Sequence, residues 1–151
     1  MGYVLQTGEL LSFLCVRDNI ELTARLCGRP DKVAEVTRIM EALGIGHLAC
    51  SMPDRISIGE RQRAAIGRAL ASAPALLLAD EPTAALDPGL SKTVMHLFLE
   101  VARSEGTAVV MVSHDVGLVH EFKFREIPVV IRGEGSGTLA ELNDTRAGGS
   151  S

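Results

Sequence analysis

The sequence predicts an α/β fold in which a helical half precedes an incomplete, mostly parallel sheet. In the first half, apolar residues recur at helical spacing. In the second, two short continuous apolar runs, Ala75–Ala79 and Thr107–Val112, have the composition of strands buried on both faces. A helix-period segment lies between these runs, and strand alternating with helix is the pattern of a parallel sheet with helical crossovers.

Tyr3–Leu5 reads as the end of a strand, followed by a turn at Gln6-Thr7-Gly8. Asp18 is placed to cap a helix over Asn19–Leu26, with Gly28 as its stop. Pro30 and Asp31 open a second helix, whose Val33, Val36, Ile39, Met40 and Leu43 share one face before Gly44 ends it. Ile45–Arg55 reads as loop with short helical pieces, and a long helix is expected from Ile58 to about Ser72. After the first apolar strand, Pro88 or Gly89 starts a helix that reaches Glu105 and stops at Gly106. Asp115 can cap a short helix to about Phe122, and Glu126–Arg132 reads as a third strand. Gly133, Gly135 and Gly137 form a turn that does not complete a G-x-G-x-x-G nucleotide fingerprint. These elements divide the chain into a helical unit over 1–73, an α/β unit over 74–140 and a small, polar, disordered tail over 141–151.

Composition narrows the function. Hydrophobic residues make up 46%, enough for a real core. The net charge of −4 and the 3% of aromatic residues, with no Trp, argue against a nucleic-acid partner, which would call for a basic face or stacking platforms. Cys15, Cys27 and Cys50 form no C-x-x-C pair and are expected as reduced, mostly buried thiols of a cytoplasmic protein. No secretory pattern opens the sequence, and the apolar stretch at Ala73–Ala79 is too short to span a bilayer. Any membrane connection is therefore expected to run through a partner.

Leu76-Leu77-Leu78-Ala79-Asp80-Glu81-Pro82 puts two carboxylates at the C-terminal end of an apolar strand, the edge where open α/β sheets bind ligands. Asp80 is placed to hold Mg²⁺, directly or through a water, and Glu81 to orient or deprotonate an attacking water. Val112-Ser113-His114-Asp115 closes the next strand, so His114 is expected beside Glu81 and near a γ-phosphate. His47, His96 and His120 stand in no comparable motif and read as solvated side chains. In Ile56-Ser57-Ile58-Gly59-Glu60-Arg61-Gln62-Arg63, Ser57 and Glu60 have the spacing of a capping box. The helix start they cap gathers free N–H groups and positive dipole, which suit a phosphate.

Taken together, these strings resemble the ATPase domain of ABC transporters. Ser57 to Leu70 is similar to the signature motif and its basic helix, Leu76–Asp80 to Walker B with Glu81 as catalytic glutamate, Ala84-Ala85-Leu86-Asp87 to the D-loop, Ser113-His114-Asp115 to the switch-histidine loop, and Gln6 to the Q-loop glutamine. Their order matches the family from Gln6 to about Ile131, and the wording of the strings is most similar to the lipoprotein-release and macrolide-export subfamily. The resemblance implies the C-terminal portion of a P-loop NTPase domain that hydrolyses ATP with Mg²⁺ between two head-to-tail subunits. It implies that Gln6 touches Mg²⁺ and the attacking water, that Ser57, Gly59 and Glu60 lie at the partner's nucleotide, and that Asp87 communicates across a homo- or heterodimer. Leu10, Leu11 and Phe13 would contact an integral membrane permease, which places the chain on the inner face of the membrane.

The sequence departs from the family pattern in two places. No G-x-x-x-x-G-K-[ST] occurs and no Gly precedes Lys32, Lys92 or Lys123, so weak ATP binding and marginal folding are expected of the chain alone. Ile58 stands where the family has glycine, and its branched bulk is expected to hold the partner's phosphate away; Glu60 in place of Gln adds a like charge. Two readings follow: a transport ATPase subunit, and an inactive module that docks on a permease or an intact ATPase. A soluble ABC ATPase of DNA repair or translation would show coiled-coil, zinc or duplicated-domain insertions, which the sequence does not contain.

Overall fold

A computed structural model of the chain describes residues 1–5, 8–28, 33–125, 127, 129–134 and 137–142. Strand β1 (Gly2–Val4) leads to helices α1 (Val16–Leu26) and α2 (Val33–Ala42), two 3-10 turns (Gly46–Leu48 and Pro53–Arg55) and helix α3 (Ile58–Ala71). Strand β2 (Leu76–Asp80), helix α4 (Pro88–Ser104), strand β3 (Ala108–Val112), helix α5 (Val116–Glu121) and strands β4 (Val129–Glu134) and β5 (Gly137–Leu142) follow.

The three strands β1-β2-β3 pair in parallel in that order, with Val4 opposite Ala79 and Ala79 opposite Met111. This is the expected small parallel sheet. Helix α3 packs on α1, α2 and β1. Gly67 permits that packing: a Cβ there would meet Ile20 Cδ1 at 3.1 Å and Leu43 Cδ1 at 3.3 Å. Ile20, Ile39, Leu43, Ile66, Leu77 and Phe98 are fully buried in one continuous core.

Four expectations are corrected. Helix α1 starts at Val16, not after Asp18, because the Val16 and Arg17 amides donate to the carbonyls of Ser51 and Ala49 and need no side-chain cap. Strand β3 is not buried on both faces: Val110 is 53% and Val112 59% exposed. Its side chains continue a row with Tyr3 and Leu78 on the sheet face turned away from the helices, and the described residues cover only the other face. The cysteines are free thiols but not mostly buried; Cys27 and Cys50 are exposed and Cys15 half-buried, because they sit at element ends rather than on apolar faces. The strand expected over Glu126–Arg132 is β4, Val129–Glu134, and it stands outside the parallel sheet, pairing antiparallel with β5 in a separate two-stranded sheet. Gln6, the Pro30-Asp31 helix start, two glycine-turn residues (Gly135 and Ser136) and positions 143–151 of the expected tail lie outside the described residues.

Candidate functional site

Parallel pairing aligns the ends of β2 and β3, with Asp80 opposite Val112, so both strands deliver their polar ends to one rim. The Glu81 amide donates to the Val112 carbonyl at 3.0 Å, carrying the ladder one residue past β2. Glu81 then turns out of the strand with φ of 46°, the left-handed region that side chains disfavour by roughly 1–2 kcal/mol. The following turn, closed by Ala84 N–H to Glu81 O and Leu86 N–H to Thr83 O, sits on buried Pro82 and Thr83. This arrangement folds the Glu81 side chain inward, leaving it 15% exposed.

The Glu81 carboxylate is poorly satisfied. Its Oε1 is buried with no hydrogen-bond partner, and His114 Nε2 lies 3.5 Å away, beyond a good hydrogen bond. The His114 side chain is 95% exposed, so its ring can turn toward a ligand. Asp80, Glu81, His114, Asp115, Lys92 and Glu121 all line one open basin of about 900 Å³. A buried acceptor facing such a basin fits a water or hydroxyl donor held between Glu81 and His114.

The start of α3 forms a second polar centre. Ser57 Oγ accepts from the Glu60 amide at 3.3 Å, while the Glu60 carboxylate accepts from the Ser57 amide at 2.7 Å and from Ser57 Oγ at 2.8 Å. These bonds from Ser57, with lesser help from Arg63 and His47, hold the Glu60 carboxyl below its ordinary pKa. Ser57 is exposed, and Ile58 beside it is 64% exposed and points its side chain to solvent. Gly59 faces the turn after Glu81, where a Cβ would lie 3.4 Å from the Ala85 carbonyl. Ser57, Gly59 and Glu60 do not line the Glu81 basin.

The remaining expected residues divide. Asp87 is exposed and caps α4, its Oδ1 accepting from the Leu90 amide at 3.0 Å, a structural role the motif reading missed. Gln6 lies outside the described residues. Among the described residues, no group of three His, Cys, Asp or Glu side chains could cage a metal. A single exposed carboxylate such as Asp80 still suits Mg²⁺, which commonly takes one or two protein carboxylates and completes its shell with water and substrate phosphates. Sequence reading also missed Lys92 and Glu121, which carry no motif and join the basin only through the packing of α4 on α5.

The family model described as ABC transporter matches residues 1–84, more than half of the chain. The chain belongs to the ABC transporter family. Among curated relatives of this ABC chain, the lipoprotein-releasing system ATP-binding protein LolD of Rickettsia conorii is 39% identical over 123 residues, covering 80% of this chain and 56% of the relative. LolD of Xanthomonas oryzae pv. oryzae is 36% identical over 138 residues, covering 84% and 57%. The ABC chain thus spans about half the length of the curated relatives it matches. Among solved structures, the dimeric bacterial ABC transporter cassette MJ0796 aligns with a TM-score of 0.69 and 31% identity over 80% of this chain and 54% of that one. The same cassette in a dimeric post-hydrolysis state, bound to ADP and Pi, aligns with a TM-score of 0.67 and 32% identity over 78% and 53%. The fold is accordingly that of part of an ABC ATPase domain, an α/β sheet with its helical unit.

Proposed function

We propose that the chain forms part of the ATP-hydrolysing subunit of an ABC transporter, coupled to transport through a permease partner. The observation that carries this reading is the Glu81 carboxylate, inward-turned and lacking a hydrogen bond at Oε1, 3.5 Å from His114. Hydrolysis of a phosphoanhydride needs little covalent help from the protein, and positioning of water and charge dominates. Glu81 would orient the attacking water and take up its proton. His114, on an exposed turn, would reach the γ-phosphate and that same water. Asp80 would hold Mg²⁺ directly or through a water, and the ion when bound would screen the phosphate charge. The helical unit is assigned to 1–73 and the half-core to 74–140.

The exposed tip of α3 would close the nucleotide site of a second ATPase subunit. In this structure the Ser57 hydroxyl already donates to Glu60, so contact with a phosphate would require it to exchange that acceptor. Phe13 is 73% exposed, and with half-buried Leu10 and Leu11 it offers the apolar contact expected for a permease. The similarity to LolD, named as the ATP-binding protein of a lipoprotein-releasing system, supports this class of transporter.

A second reading, a docking module without hydrolysis, is favoured by one observation: Ile58 stands 64% exposed at the tip of α3, where the family pattern has glycine. One substitution distinguishes the two. In an assembly of this chain with a permease and a complete cassette, Glu81→Gln should lower steady-state ATP hydrolysis by about 100-fold, the scale of a lost general base. An unchanged rate would favour the docking module.

A further inference from the structure

His114 occupies a turn whose shape is set from α5. The Val116 amide donates to the His114 carbonyl at 3.0 Å, Asp115 Oδ1 accepts from the Leu118 amide at 2.9 Å, and the Asp115 amide donates to Ser113 Oγ at 3.1 Å. Strand β3, just upstream, is largely exposed and gives the turn little side-chain support. The β2–β3 ladder, ending in the Glu81 amide bond to the Val112 carbonyl, brings the two strand ends together, and the seating of α5 sets the turn that carries the His114 ring beyond that point.

Helix α5 has six residues and little area with which to seat itself. Leu118 is buried, and the His96 ring of α4 meets Phe122 edge-on with centroids 4.8 Å apart. Lys92 of α4 donates to Glu121 of α5, Nζ to Oε1, at 2.7 Å. Lys92 and Glu121 line the same basin as Glu81 and His114. We propose that the Lys92–Glu121 pair is a positioning device that holds α5 on α4 and thereby keeps His114 within reach of Glu81. Its consequence for hydrolysis rests on the reading of Glu81 and His114 above, whereas its geometric content does not.

The test is a cycle of variants of the chain read by NMR at the His114 ring Hε1. Glu81→Gln should shift this signal in the parent. In a Lys92→Met background the same substitution should shift it less than about half as much, because coupling is lost when the connecting contact is removed. Lys92→Arg, and the reversed pair Lys92→Glu with Glu121→Lys, should restore the full shift. Should Lys92→Met fail to fold, Glu121→Gln takes its place. A parent signal indifferent to Glu81→Gln, an equal shift in the Lys92→Met background, or no recovery in the reversed pair would each overturn the device. In the assembled ATPase, Lys92→Met should lower kcat about fivefold with KM unchanged, as expected for a group that acts after binding. Lost NMR coupling with unaltered kcat would retain the device and count against hydrolysis at the Glu81–His114 pair, so the two claims fail separately.

Discussion

Asn19 shows how much one buried side chain can organise. Its Oδ1 accepts from the Leu11 amide at 2.7 Å, and its Nδ2 donates to the carbonyls of Leu11, Leu14 and Cys15 at 3.1, 2.9 and 3.1 Å. It thus pins the segment that displays Phe13. Asn19→Ala takes this partner from the part-buried Leu11 amide and Leu14 carbonyl, while the Leu11 and Cys15 carbonyls keep the amides of Leu14 and residue 19; it should destabilise the chain by about 2–3 kcal/mol in urea unfolding, since each orphaned group costs about 1–3 kcal/mol. Glu60 gives a pH prediction. Its pKa is lowered in the folded state, first by the Ser57 amide bond, so its contribution to α3 is fully present above the ordinary carboxylate range and lost as pH falls through the depressed value. Thermal unfolding of the parent and of Glu60→Gln should therefore differ at neutral pH and converge in acid. Persistence of the gap in acid would show that the carboxylate charge is not what holds the cap.

At the scale of elements, α3 is the organising helix. Its capped tip faces outward, while its middle lies against α1 and α2 at Gly67. Gly67→Ala improves helix propensity and asks two side-chain ends, Ile20 Cδ1 and Leu43 Cδ1, to yield slightly. Gly67→Val adds bulk these neighbours cannot absorb and should lower stability by about 1–3 kcal/mol in the same urea measurement, the usual cost of overpacking. A neutral Gly67→Val would mean that α1 and α3 can separate without penalty. The α5 helix is the opposite case. It is short, lightly buried and dependent on α4, which makes its registration a point where small changes reach the candidate site.

At the scale of the molecule, the described residues cover the sheet on one face. Tyr3, Leu78 and Val110 lie in register on the other, with Val112 at its end, and three of these four are at least half exposed. Parallel sheets ordinarily bury both faces, and an apolar sheet face in water promotes association. The chain on its own should therefore self-associate with rising concentration, and the double substitution Val110→Lys, Val112→Lys should reduce that association in sedimentation velocity. Equal sedimentation of parent and variant across concentrations would place the sticky surface elsewhere.

The antiparallel pairing of β4 with β5 was not legible in the sequence; the element order through α5, the parallel pairing of the two apolar runs and the meeting of Glu81 with His114 were. Each depends on local signals: a continuous apolar run, a cap at Ser57 or Asp115, and two polar strings at consecutive strand ends. Asp18 misled because a cap is needed only where amides lack partners, and loop carbonyls at Ala49 and Ser51 supplied them. The exposure of β3 was illegible because an apolar run records what a strand can bury, not what is present to cover it. Tertiary structure alone decided the left-handed turn of Glu81, the unsatisfied oxygen it buries and the link between Lys92 and Glu121. These features arise from contacts between segments distant in sequence, and no periodicity or motif encodes a distance between two such segments.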